Sequence, residues 1–196
     1  MAARLVPWAL RLVTAGNLAV LAILALAYLV PLPDRGDGWS TVVEYRDGRP
    51  AHVFLSPDEK WRLPVALDRV DPKLLESLVA LEDKRFWSHD GVDVLAIARA
   101  AWTDVTRRRK VSGGSTLSMQ LARLLEPRAR TIPNKLIDMF RAVQLDLRLS
   151  KREILGEYLA RTPYGANVEG IESAAWSYFG HAAAHLTPLE IATLLA

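Results

Sequence analysis

Four groups of side chains in this sequence have the types and spacing to do chemistry. Glu82 and Asp83 are adjacent carboxylates at the end of an apolar stretch with helical spacing. Carboxylates there meet the negative end of the helix dipole. A local rule broken without visible compensation is where function is expected, and such a group suits a general base. The plain alternative is that Lys84 and Arg85 pair with both acids on a solvated surface. The run Arg107-Arg-Arg-Lys110 leads into Gly113-Gly114-Ser115-Thr116. Glycines let backbone N–H groups approach a ligand, and the helix that follows offers its positive end. Cations beside such a turn make a pyrophosphate cradle. The lysine and the spacing fit no P-loop, and an ordinary loop with solvated charge is the rival. Lys135 and Asp138 are three residues apart and share one helix face, as a weak ion pair or as part of a site. His181 and His185 are four apart, but no third ligand stands at a metalloprotease spacing, so no metal site is assigned. Trp61, Trp102 and Trp176 read as core residues.

These groups need elements to hold them. Asp71-Pro72 is an N-cap followed by proline at the first helical position. Leu74, Leu75, Leu78, Val79 and Leu81 then keep helical spacing, which puts Glu82 and Asp83 near the helix C-terminus. Asp93 caps a second helix that reaches the basic run. A third begins near Ser115. A fourth runs from 133 to about 149, with Leu136, Phe140, Val143 and Leu147 expected to face the core. Ser150 with Glu153, and Thr187 with Glu190, are capping boxes that open two further helices. Earlier in the chain, 41–45 and 51–55 read as short strands around the turn Arg46-Asp47-Gly48, a structural hairpin. No internal repeat or low-complexity segment is present.

The 196 residues are 51% hydrophobic, enough for one packed domain with appendages and too little for several membrane spans. The formal charge of +3 suits an acidic surface or a phosphorylated ligand without calling for nucleic acid. With no cysteine, disulfides and thiolate metal sites are excluded. Residues 12–30 carry no charge, and a helix needs about 20 such residues to cross the hydrocarbon layer. Arg4 and Arg11 precede this run, which favours a cytoplasmic N-terminus and an external remainder. A cleaved signal peptide, with Ala25 and Ala27 as small-residue positions, and a buried core helix are the rivals. The expected division is a tail and transmembrane anchor over 1–33, a linker and hairpin over 34–62, and a mainly helical domain over 63–196. Residues 189–196 form an apolar helix with no stop signal, which reads as a fragment of a longer protein.

Taken in order, the motifs resemble glycosyltransferase family 51, the peptidoglycan polymerases of class A penicillin-binding proteins. Glu82-Asp83, Phe86, His89 and Gly91 match its first signature, and Gly113-Gly114-Ser115-Thr116 through Gln120 the second. Lys135 to Asp138 occupies the third, and 151–159 with 163–170 the fourth and its continuation. The match extends over roughly 63–196 and is most like the 1C branch of that class. The resemblance implies a lysozyme-like helical lobe with a small membrane-proximal region, one N-terminal transmembrane helix, and a catalytic domain on the periplasmic or external side of the bacterial inner membrane. It implies an inverting transfer. The 4-hydroxyl of an acceptor lipid II attacks the anomeric carbon of the lipid-linked strand and expels undecaprenyl pyrophosphate. Glu82 becomes the general base and Asp138 the second catalytic carboxylate. Asp83, Phe86, His89, Gly114, Ser115, Thr116, Gln120, Arg123 and Lys135 become substrate-binding, with Lys135 and Arg123 on the pyrophosphate.

The implied partners are lipid II, the growing glycan strand, the membrane and other cell-wall synthesis proteins, with no nucleic acid. No cofactor is required, although a divalent cation, Mg or Mn, is compatible. Three positions depart from the pattern. Asn134 replaces arginine, Asp138 replaces the longer carboxylate of the third motif, and Ala160 replaces asparagine. A catalytically weak scaffold that binds lipid II is therefore the main alternative, and a lysozyme-like hydrolase a third. No Ser-x-x-Lys of a transpeptidase occurs in these residues.

Overall fold

The computed structural model describes residues 5–36, 38–107 and 114–196, with side chains omitted at 5–9, 12, 101, 104, 105 and 107. Its elements are α1 (Leu5–Leu29), β1 (Thr41–Glu44), β2 (Pro50–Phe54), β3 (Trp61–Arg62), α2 (Pro72–Glu82), α3 (Val94–Arg107), α4 (Leu117–Leu125), α5 (Ile132–Arg148), α6 (Lys151–Arg161), β4 (Pro163–Gly165), β5 (Val168–Glu169), α7 (Ile171–Phe179) and α8 (Pro188–Leu195). Helices dominate, as the periodicity requires.

Local signals set the helix starts. The Asp71 carboxylate accepts from the Lys73 N–H and opens α2. The hydroxyls of Thr116 and Thr131 accept from the N–H groups of Met119 and Asn134, opening α4 and α5. The capping boxes at Ser150 and Thr187 both form, each with its glutamate reaching back. The hairpin is present as the antiparallel pair β1–β2. A second sheet, in the order β3-β5-β4, was not foreseen. Its strands are two or three residues long, too short for period-two alternation to register. It is pinned by Arg62, buried in β3, whose guanidinium pairs with Glu169 of β5 and with Asp58.

The core lies around α4. Leu117, Met119, Leu121 and Ala122 are fully enclosed there, together with Leu74, Leu145, Ile154, Leu155, Leu159 and Ile171. The face expected for α5 is corrected. Asp138, Ala142, Gln144 and Leu145 point inward, whereas Leu136 is 61% and Leu147 49% exposed. Periodicity marks two faces but not which is inside, and here the polar pair finds buried partners. Trp102, expected in the core, is 73% exposed on α3.

Gly91 sits directly against α5. A Cβ there would stand 2.5 Å from the Ala142 carbonyl and 2.6 Å from the Val143 nitrogen, at a φ of +81°. Both the left-handed backbone and the contact resist a side chain. Gly91→Ala is expected to cost about 2 kcal/mol or more of stability, measured by urea unfolding.

Among the described residues no helix is long and apolar enough to cross a membrane. Nor is α1 a core helix. Over its 25 residues the described apolar side chains, Leu18, Leu21, Ile23 and Leu26 among them, are exposed, and only Ala27 is buried. Its last turn docks on α5, where Gln144 and Arg148 donate to the carbonyls of residues 27–31. Cationic and amide donors are the natural partners of a helix C-terminus.

Candidate functional site

The site is built from the end of α2, the loop after it and the start of α4. Asp83 caps α2 through its N–H on Val79 and turns its carboxylate into the interior. That carboxylate lies 2.9 and 3.1 Å from Nε2 of His89 and accepts the Leu117 N–H at 3.0 Å. Three segments distant in sequence are thereby locked together. A carboxylate only accepts, so His89 donates through Nε2. Phe86, between them, is fully buried with the Lys151 ammonium 4.8 Å from its ring centre. Phe86 therefore supports the site from below and cannot touch a substrate, which corrects the expectation for it. Asp83 and His89 act likewise, as an internal brace.

With Asp83 turned inward, Glu82 is left facing out. Among the described residues no ion pair joins these acids to Lys84 or Arg85, and Arg85 pairs with Asp93. Glu82 accepts from Nε2 of Gln120 at 2.8 Å, and Oε1 of Gln120 accepts from the Tyr158 hydroxyl at 3.1 Å. This chain orients the carboxylate while leaving it exposed. Burial, together with the negative charge of Glu82, pushes the Tyr158 hydroxyl above its ordinary pKa, so it remains a donor.

Glu82 and its neighbour Leu81 line two clefts at once. One, of about 570 Å³, is walled by Lys84, Arg85, Arg99, Gly114, Ser115, Thr116 and Gln120. The other, of about 320 Å³, is walled by Tyr158, Thr162, Pro163, Tyr164, Tyr178 and α8. The first is rich in cations and turn backbone, the second in aromatic and hydroxyl groups. Gly114 has a φ of +51° and lies close to the α3 backbone at Ile97. Thr116 fixes the turn by donating to the Gly91 carbonyl at 2.6 Å. Gly113 and 108–110 of the basic run lie outside the described residues.

Arg85 and Asp93 brace the cationic cleft. The guanidinium holds the Asp93 carboxyl at about 2, helped by the Ala96 N–H and opposed by burial. Because the folded pKa is depressed, this contribution is complete above the ordinary carboxyl value and is lost as pH falls through about 2. Asp93→Asn is expected to be less stable at neutral pH and to lose less between pH 4 and 2, read by urea unfolding against pH.

A second cluster adjoins the first through α4, whose Gln120 and Arg123 are three apart and so neighbours. Asp138 is 1% exposed. Its Oδ2 accepts from Nε and Nη2 of Arg123, and Nη1 of Arg128 stands 3.6 Å from Oδ1. This excludes a weak surface pair and corrects the expectation of a second carboxylate facing the reaction. Asp138 organises two cations from behind. Lys135 lies one turn earlier on α5, half-buried. Asn134, where the resemblance expects arginine, braces the preceding loop by donating to the Ala129 carbonyl at 2.9 Å.

Among the described residues no group of three or more His, Asp or Glu side chains could hold a metal ion. His181 instead pairs with Glu190. A lone carboxylate between guanidiniums does not suit a divalent cation.

Sequence reasoning missed Tyr158, Arg128, Glu126 and Arg141. Glu126 and Arg141 form a forked pair 15 residues apart and Tyr158 meets Gln120 across 38, separations that carry no spacing signal, while Arg128 pairs with Glu126 two residues before it.

A model of the transglycosylase family matches residues 47–196, and the chain belongs to that family. It is similar to penicillin-binding protein 1C of Escherichia coli (strain K12), 46% identical over 166 residues, covering 85% of this chain and 22% of that protein. Penicillin-binding protein 1A of the same strain is 38% identical over 138 residues, 69% of this chain and 16% of that protein. Penicillin-binding protein 1F of Bacillus subtilis (strain 168) is 35% identical over 136 residues, 69% of this chain and 19% of that protein. The chain spans about a fifth of the length of these curated relatives.

Proposed function

We propose that this chain polymerises lipid II into β-1,4-linked glycan strands, with inversion and release of undecaprenyl pyrophosphate, in bacterial cell-wall synthesis. The observation that carries this reading is the position of Glu82 at the junction of two clefts, exposed and oriented by Gln120. An alcohol is a weak nucleophile, so Glu82 takes the proton of the acceptor 4-hydroxyl as its oxygen bonds to the anomeric carbon. The bond from that carbon to the pyrophosphate oxygen breaks on the opposite face. The negative charge leaves toward the cationic side, where Arg123 and Lys135 stabilise it and the turn at Gly114, Ser115 and Thr116 offers backbone donors. The proton passes from Glu82 to solvent.

We further propose that α1 anchors the domain to the inner membrane, with the catalytic part on the periplasmic or external face. Residues 12–30 carry no charge, and the uncovered apolar side chains of α1 suit lipid. A second reading, a scaffold that binds lipid II without turnover, is favoured by the withdrawal of Asp138 into ion pairs. Incubating the detergent-solubilised chain with lipid II and resolving the products decides among the readings. New polymer supports the transferase, binding without polymer the scaffold, and cleavage of added glycan a hydrolase.

A further inference from the structure

Asp138 and its arginines are connected to the end of α1 by a run of ion pairs and hydrogen bonds. Glu126, the residue that ends α4, accepts Nε of Arg141 at 2.8 Å and Nη2 at 2.9 Å in a two-pronged fork. Its Oε2 also accepts from Nη2 of Arg128. The fork leaves Nη1 of Arg141 for the Pro31 carbonyl at 2.9 Å and Oε1 of Gln144 at 2.7 Å. Gln144, fully buried, in turn donates to the carbonyls of Val30 and Pro31. One guanidinium thus touches the exit of the N-terminal helix on one side and the carboxylate that steers Arg128 on the other.

The weak link shows what the run is for. Nη1 of Arg128 and Oδ1 of Asp138 are buried, lack any hydrogen-bond partner, and stand 3.6 Å apart, an ion pair without a hydrogen bond. Asp138 therefore does not fix where Arg128 sits. Glu126 does, and Glu126 is itself held flat by Arg141. Burial opposes ionisation of Glu126, but Arg128 and Arg141 outweigh it and keep its pKa below the ordinary value.

We propose that Glu126 and Arg141 are positioning residues. They fix Arg128 beside Asp138 and tie this cation cluster to the docked end of α1, so that helix docking sets the geometry that receives the pyrophosphate of the lipid-linked substrate. The role of the cluster rests on the transferase reading above, whereas the run of contacts stands without it. A solely structural fork would alter melting and leave ligand affinity alone, which makes affinity the quantity to read.

The test titrates lipid II in detergent micelles into the full chain, with melting and polymerisation followed alongside. Arg141→Met and Glu126→Gln are each expected to raise Kd about tenfold at a temperature where both variants remain folded, the loss of one well-placed charged contact. The double variant loses no more than the larger single one, because the two residues act as a unit. Arg141→Lys does not restore affinity, since an ammonium cannot form the fork. Gln144→Met, which loosens only the tie to α1, gives a smaller loss of the same kind. If Arg141→Met fails to fold, Glu126→Gln decides. Unchanged affinity in both single variants, full restoration by lysine, or a loss explained by melting at the assay temperature overturns the proposal. A wild type that binds lipid II but makes no polymer removes the transferase reading, and the positioning result is still read from Kd. A wild type that does not bind overturns both.

Discussion

Glu82→Gln is expected to lower the rate of glycan polymerisation by about 10²–10⁴-fold, the range supplied by a positioned general base. The substitution is close to isosteric and keeps the local contact, because the Gln120 amide can still donate to the new carbonyl oxygen. Glu82 is exposed at the end of α2, so solvent accommodates the change of charge. Folding and the melting temperature should therefore hold, and the affinity for lipid II should change little. The loss belongs in kcat, because a proton acceptor acts in the transition state and contributes little to ground-state binding. A variant that polymerised within tenfold of the wild type would remove Glu82 from the role of base. A variant that lost binding as strongly as rate would make Glu82 a binding residue.

How much of this was legible beforehand depends on the range of the interactions. The end of α2 was readable because Asp71, Pro72 and the leucine spacing are local signals, and that alone placed Glu82 and Asp83 correctly. The capping boxes at Ser150 and Thr187 were local too, and both formed. What a carboxylate does after its helix ends is decided by residues far along the chain. Asp83 turns in because His89 and the start of α4 await it, and Glu82 turns out because Gln120, 38 residues later, reaches it. Lys84 and Arg85, the sequence neighbours expected to neutralise both acids, take no part in this. On α5 the error came from treating apolar spacing as an arrow to the core. Asp138 and Gln144 occupy the interior because Arg123 donates to one carboxylate oxygen, Arg128 stands by the other, and the carbonyls of Val30 and Pro31 accept from the amide, a compensation that no spacing rule reveals. Residue types could suggest a base and a cation cradle, but their assembly around a shared turn needed the fold.

Asp138→Ala is expected to cost about 3–5 kcal/mol of stability, the usual penalty for removing one member of a buried charge pair. The carboxylate is 1% exposed and holds Arg123 by two donors, with Arg128 close to its other oxygen. Deleting it leaves the Arg123 guanidinium without its carboxylate in a partly buried space beside Arg128, which keeps only Glu126. Urea unfolding of the full chain measures the loss. Asp138→Asn keeps the volume and separates charge from packing. If packing dominates, asparagine recovers most of the stability, and if charge dominates it recovers little. Activity should follow Arg123, which without its anchor samples rotamers that no longer meet the leaving pyrophosphate, so binding and rate both fall in the alanine variant. Asp138→Glu is the sharper comparison, because glutamate is what the third motif usually carries. One added methylene in a fully enclosed position costs about 1–3 kcal/mol when the surroundings cannot yield. A destabilised and poorly active glutamate variant would mean that the arginines have closed around the shorter acid and that aspartate is the fitted residue here. A more active one would mean that the cluster has kept room for the longer side chain, and that aspartate limits the rate of this chain.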